Sequence, residues 1–327
     1  MKGRTPLSWE PWLTPRVLIR AIVVVGVLLI LVGGAFAGYY YWDRYRPRGQ
    51  PSPLQKAIQE AEQRVRENPS DPDLRLQLAA LYFEAGLYER AAEQADQVAK
   101  AYPDNDLAWY LAGLSYVRME RKDKALPRLE KFIALREDHP LAGIDTQLQT
   151  AYYYVGETYV QRAEYEKAVE PLQGALRITP TDADARYQLA VALQHLNRCE
   201  EALEHYHWAV RLVPDFTEAY QGMAECYELL QKPAYVLYAR GMVAFSQEDY
   251  ETALARLQEA AEQLPDFAPV WLGLGMTYEA MGNLEDALKA LEKAYSLNPE
   301  DFTIQHVYGR VQAKLEALKT QQKEGTP

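Results

Sequence analysis

Two patterns of apolar residues divide this chain. Residues 21–42, AIVVVGVLLILVGGAFAGYYYW, run for 22 positions without a charge. At about 1.5 Å per helical residue they would cover roughly 33 Å, enough for a hydrocarbon core of about 30 Å. Beyond residue 52 the apolar residues recur at three- and four-residue spacing instead, as at Leu54, Ile58, Ala61 and Val65. That spacing is the buried stripe of an amphipathic helix. Ser52-Pro53 offers a cap and a first-turn proline for this first helix.

Prolines punctuate the helical pattern. Pro69 and Pro103, Pro180 and Pro214, and Pro265 and Pro299 are each separated by 34 residues. Polar residues follow them, as in AYPDND, ITPTDAD and LNPED, which stops one helix and starts the next. Self-similarity at this period marks a helix-turn-helix solenoid. With proline as the thirty-second position, units span 72–105, 106–139, 149–182, 183–216 and 268–301. Fourth, eighth and eleventh positions then read Trp109, Gly113 and Tyr116, or Tyr152, Gly156 and Tyr159, or Trp271, Gly275 and Tyr278. The twentieth is Ala91, Ala125, Ala168, Ala202 and Ala287. Small residues let paired helices approach, and large ones such as Leu129, Leu172, Tyr206 and Leu291 fill the space beside them.

These positions resemble the tetratricopeptide repeat family. The resemblance covers roughly residues 53–318 and implies an all-α helix-turn-helix solenoid, a right-handed superhelix. The expected organisation is a basic tail (1–20), a transmembrane helix (21–42) and a linker (43–52), followed by the array. Its N-terminal lobe, 53–233, holds a half unit (53–71), the four units between 72 and 216, and a broken unit (217–233). A C-terminal lobe, 234–318, holds units 234–267 and 268–301 and a terminal helix 302–318, with a loose tail at 319–327.

The period fails twice. Nine extra residues, PLAGIDTQL at 140–148, precede the third unit, and Asp145 to Leu148 are expected to lengthen its first helix. Pro214 to Pro265 is 51 residues, one period and a half. Thr217–Leu230 matches a first helix, and Ala234–Gln247 matches a first helix again, with Arg240 where leucine is usual. A second helix is therefore missing. Consecutive helices alternate sides, so first helices after Pro233 are expected towards the opposite side, with a seam there. Tyr235 to Phe245 is apolar almost all round, as a helix gripped on both sides requires. The alternative is that this helix simply serves as the missing partner.

In this family, first-helix positions two, five, nine, twelve and thirteen bind partner segments. The resemblance implies a groove of fifth-position tyrosines, Tyr110, Tyr153, Tyr187 and Tyr238, with Phe83, Val117, Val160 and Phe245 at twelfth positions. Tyrosine is abundant, 24 residues against 7 phenylalanines, and offers rigid apolar area with a polar tip. The alternative is packing between neighbouring helices. Ninth positions carry no lysine or asparagine, which argues against a clamp for a C-terminal carboxylate. Glu218, Glu225 and Glu228 favour a basic or mixed apolar segment.

Charge and chemistry narrow the classes. Residues 1–50 carry a net +5 against −11 for the whole chain, leaving −16 on residues 51–327, which disfavours nucleic acid. His195, His205 and His207 share one unit, but residues two apart on a helix diverge, so no metal site is expected. There is no phosphate loop, G-x-S-x-G or H-E-x-x-H, so no catalytic residue and no cofactor is expected. Cys199 and Cys226 lack a framework spacing, and reduced thiols are the expectation.

Aromatic residues flank the apolar run, Trp9 and Trp12 before it and Tyr39 to Trp42 at its close, as at a membrane interface. Basic residues are balanced on its two sides, so the lean towards an extracytoplasmic array rests on the short leader alone. Ala35-Phe36-Ala37 leaves cleavage after Ala37 open beside retention as an anchor. Gly34 and Gly38 form a G-x-x-x-G pattern that permits an anchor-mediated dimer. The expected function is a membrane-anchored, non-catalytic scaffold that binds protein partners. A permanent subunit of a membrane complex, or an exported assembly chaperone, are the alternatives.

Overall fold

A computed structural model describes residues 29, 32–38, 40 and 52–324. Most of the expected span at 21–42 lies outside them. Residues 29, 32–38 and 40 are helical and exposed, Gly34 and Gly38 included. Among the described residues no helix is long and apolar enough to cross a membrane. The chain forms two compact units, residues 1–63 and 64–327. Helix α1 (Pro53–Glu67) begins in the first. Its start is a reciprocal cap: Gln55 N–H donates to Ser52 Oγ (3.1 Å) and Ser52 N–H to Gln55 Oε1 (3.0 Å).

The second unit is all-α. Its helices are α2 (Pro72–Glu84), α3 (Tyr88–Ala101), α4 (Asp106–Arg118), α5 (Lys122–Arg136), α6 (Thr146–Gln161), α7 (Tyr165–Ile178), α8 (Ala183–His195) and α9 (Cys199–Leu212). Then come α10 (Thr217–Leu229), α11 (Pro233–Ser246), α12 (Tyr250–Gln263), α13 (Ala268–Ala280), α14 (Leu284–Leu297) and α15 (Phe302–Glu324). Each helix packs on the next, and the pairs close on one kind of contact. A Cβ added to Gly156 would lie 2.4 Å from Leu172 Cγ, and one on Gly275 2.4 Å from Leu291 Cγ. Glycine at the eighth position thus makes room for leucine at the twenty-fourth.

Two turn types alternate along the array. The turn from first to second helix puts one residue at positive φ: Gly86 (74°), Glu120 (57°), Ala163 (57°), Asn197 (59°), Gln231 (56°), Glu248 (64°) and Gly282 (81°). The residue after it donates back to the carbonyl five positions earlier, as Glu164 to Tyr159 (2.9 Å), a Schellman closure of the first helix. The turn from second to first helix carries the proline, and an Asp or Asn cap except before α10 and α13, where Phe216 and Phe267 stand; Asn105, for example, accepts from Ala108 N–H at 2.9 Å. There the fourth residue of the new helix donates to the proline carbonyl: Trp109 Nε1 to Pro103 (2.8 Å), Arg186 Nε to Pro180 (2.9 Å) and Trp271 Nε1 to Pro265 (2.9 Å).

The two irregular places depart from this grammar in different ways. The extra residues at 140–148 divide between a 3-10 turn, Ala142–Ile144, and a longer first helix. Asp145 caps α6, accepting from Gln147 N–H (2.9 Å) and Leu148 N–H (3.2 Å). Arg136 binds Asp145 (2.8 Å) and Asp106 (2.5 Å), tying the insertion to the preceding first helix. Burial opposes ionisation of Asp145, but Arg136 and the two amides prevail and hold its carboxyl low.

Helix α11 is entered and left through the same turn type. Gln231 and Glu248 both have positive φ, and Lys232 N–H to Tyr227 O (2.9 Å) and Asp249 N–H to Ala244 O (2.9 Å) close α10 and α11 alike. Lys232 provides no side-chain cap, as at most second-helix starts here. Helix α11 therefore starts as the second helix of α10 and ends as the first helix of α12. Both sequence expectations for it hold at once, which is why it is apolar all round: Val236, Tyr238, Ala239, Met242 and Ala244 are all buried. The expected seam has no counterpart in the packing. One hydrophobic cluster runs from Ala168 to Ala290, across Pro233.

At the other end, α15 corrects the expected tail at 319–327, because the helix continues to Glu324. Apart from Thr320, Lys319 to Glu324 are good helix formers, with no glycine until Gly325.

Candidate functional site

The half unit at α11 decides which predicted groove residues share a face. Before it, fifth-position tyrosines on first helices lie beside the second position of the following first helix. Tyr110, on α4, lies beside Thr150 of α6. Tyr153, on α6, faces Asp184 of α8, and Tyr187, on α8, faces Glu218 of α10. All three tyrosines are half-buried. Their flanks are set by ring contacts: Tyr110 on Phe132 (5.0 Å), Tyr153 on Tyr154 (5.3 Å) and Tyr187 on Phe216 (4.9 Å). Phe83, edge-on to Tyr88 at 5.2 Å, and Val117 and Val160 are half-buried beside this row.

This first-helix face is acidic. Burial raises the Tyr153 phenol well above its usual range, with Glu157, Asp184 and Asp182 adding to it. Tyr187 is raised for the same reason, with Glu218 and Glu225 nearby. Lys122 pairs with Glu157 at 2.9 Å, and Gln194 donates to Glu225 at 2.6 Å. Asp184 has no ion pair among the described residues. Burial first, then Asp182 and Glu157, push its carboxyl above the usual carboxylate value. A cation brought to this place would relieve the repulsion.

Tyr238 and Phe245 do not continue the row, and the reason is the missing helix. Tyr238 is 3% exposed, wedged edge-on between Tyr220 (6.2 Å) and Phe267 (5.2 Å). With Met242 it lines a cavity of about 180 Å³ whose other walls come from α9, through His207, Val210 and Arg211, and from α13, through Leu272 and Met276. Helix α9 is a second helix and α13 a first helix. First helices beyond Pro233 thus fall in line with the second helices before it. Phe245, half-buried against Tyr250 at 5.9 Å, goes with them.

The remaining chemistry is structural. His195 stacks on Tyr165 (4.2 Å), His205 lies 3.4 Å from Arg186 Nη1, and His207 Nε2 is 2.8 Å from Tyr227 Oη. No group of three metal-ligating side chains occurs among the described residues. Cys199 and Cys226 are free, buried thiols, and burial and the neighbouring Cys199 push the Cys226 thiol up. What sequence reasoning missed is the cavity wall contributed by α9, whose residues belong to no first helix.

Comparison with known proteins fits this architecture. Tetratricopeptide repeat models match residues 244–315 and 156–197, and a model of anaphase-promoting complex, cyclosome, subunit 3 matches residues 54–132. The matches support a solenoid of tetratricopeptide repeats. Mouse superkiller complex protein 3 is 25% identical over 245 residues, 73% of this chain and 14% of that protein. The bovine BBSome complex member BBS4 is 22% identical, over 75% of this chain and 42% of that protein. The type IV pilus assembly protein PilF of Pseudomonas aeruginosa is 32% identical over 154 residues, 46% of this chain and 54% of that protein. The chain thus spans from a seventh to about half of these relatives' lengths. Among solved structures, MamA MSR-1 C2 is 24% identical with a TM-score of 0.47, over 57% of this chain and 98% of that one.

Proposed function

We propose that this protein is a non-catalytic scaffold that holds a basic, partly apolar segment of a partner protein against the first-helix face of α6, α8 and α10. The observation that carries this is Asp184, exposed beside the half-buried Tyr153 and without an ion pair among the described residues. An arginine or lysine laid there would be bound by Asp184, Glu157 and Glu218, while Tyr153 and Tyr187 supply apolar area. The relatives, two complex members and an assembly protein, support a place in protein assemblies. In this reading residues 21–42 tether the array to a membrane, with the array on the extracytoplasmic side. The tether raises the local concentration of whatever the array holds.

Replacing Tyr153 with a photocrosslinking residue should capture a partner whose captured segment is rich in Lys or Arg. Tyr153→Ala with Tyr187→Ala should abolish co-purification of that partner while leaving helicity intact. Unchanged co-purification from the double variant rules the face out as the binding site.

A further inference from the structure

The phase inversion at α11 builds a pocket away from the tyrosine row. The cavity of about 180 Å³ lies where α9, α11, α13 and the start of α15 meet. Its first-helix contributors occupy groove positions: Tyr238 and Met242 are fifth and ninth in their unit, Leu272 and Met276 fifth and ninth in theirs. In an uninterrupted array these positions would extend the row begun by Tyr110. Here they face Val210 and His207 of a second helix, which turns an open groove into a pocket. Asp301 and Thr303 close it, with Asp301 3.3 Å from Arg211 Nε and Thr303 Oγ1 3.4 Å from the Arg211 carbonyl.

The rim differs in charge from the first face. Trp208, exposed on α9, is stacked between Arg186 (4.9 Å) and Arg211 (5.2 Å). Arg211 is 43% exposed, and its only ion pair among the described residues is with Asp301, whose side chain is 15% exposed. Of these cations Arg211 lines the pocket itself and presents an exposed guanidinium there, in a molecule that is otherwise strongly acidic. The walls are mostly apolar, and two of the lining residues are methionines, which adapt to the shape of what enters. The volume suits one aromatic ring, since an apolar cavity of about 150 Å³ accepts benzene.

We propose that this pocket is a second binding site, which takes a single phenylalanine-sized side chain from an acidic segment of a partner protein. The ring enters between Met242 and Met276, and a carboxylate beside it in the partner's sequence meets Arg211. The two faces then select opposite charge, basic for the tyrosine row and acidic for the pocket, so one array bridges two different partners. The pocket does not depend on the first face being a binding site.

The test uses the chain labelled with [13C]methyl methionine. The probe is a synthetic peptide, Glu-Asp-Phe-Asp-Glu between Gly-Ser spacers, with its Phe-to-Ala and Lys-Lys-Phe-Lys-Lys counterparts. Saturable ring-current shifts of the Met242 and Met276 methyls are expected with the acidic phenylalanine peptide and with neither counterpart. Arg211→Gln should weaken binding about tenfold, and Met276→Phe, which fills the pocket, should abolish it. Tyr153→Ala with Tyr187→Ala should leave it unchanged, which keeps failure of this site distinct from failure of the first. Absence of methyl shifts at millimolar peptide overturns the proposal. So does equal response to the basic peptide, or binding that survives both Arg211→Gln and Met276→Phe.

Discussion

At Ala163 the backbone sits at φ 57°, a conformation that crowds a Cβ against the carbonyl. Gly86 and Gly282 occupy the same turn position without that cost, while Glu120, Asn197, Gln231 and Glu248 share it with Ala163. The array tolerates five such residues because each turn is fixed from both sides, by the Schellman bond behind it and the next helix ahead. Ala163→Gly should therefore raise stability by about 0.5–1 kcal/mol in urea denaturation, the conformational relief exceeding glycine's greater freedom when unfolded. The turn residue was not legible in the sequence, because alanine, glutamate and glutamine give no sign of positive φ. Its position, two residues before each second helix, became visible only in the folded chain.

Helix α9 carries an electrostatic effect that reaches the neutral pH range. Burial lowers His207 to about 4, and its Nε2 meets Tyr227 Oη at 2.8 Å. The folded chain thus holds this imidazole neutral where the unfolded chain, near 6.5, would take up a proton. Stability from this source is complete above about pH 6.5 and is lost as pH falls from there towards 4. The expected loss is on the order of 2 kcal/mol, and His207→Gln should flatten the thermal midpoint between pH 7 and pH 5. The sequence placed the three histidines of this unit on diverging sides, and they meet Tyr165, Arg186 and Tyr227 separately. Which of them would be buried was not legible there, since that depended on Tyr227 arriving from α10.

For the whole molecule, the half period between Pro214 and Pro265 is the decisive feature. It carries no seam, yet it swaps the two helix rows and brings Arg211 next to Asp301 and Thr303, about ninety residues along the chain. Restoring the missing helix should undo this. A chain with residues 200–216 copied in after Pro233 regains the 34-residue register. A disulfide engineered by Arg211→Cys with Thr303→Cys should form readily at the native length and fail in the lengthened chain. Efficient crosslinking in both would show that the inversion does not set the contact.

The sequence by itself determined the repeat, its pairing rule and its two irregularities. Those features rest on interactions within one period: small residues facing large ones, prolines between helices, and caps at helix starts. The extra residues before α6 were legible for the same reason, since Asp145 is a local cap. The faces formed by distant units were decided by the tertiary structure alone. Tyr110, Tyr153, Tyr187 and Tyr238 are equivalent in sequence, but one missing helix sends Tyr238 to the other side and buries it. Register is local and survives a deletion. The side on which a position emerges is the sum of every helix before it.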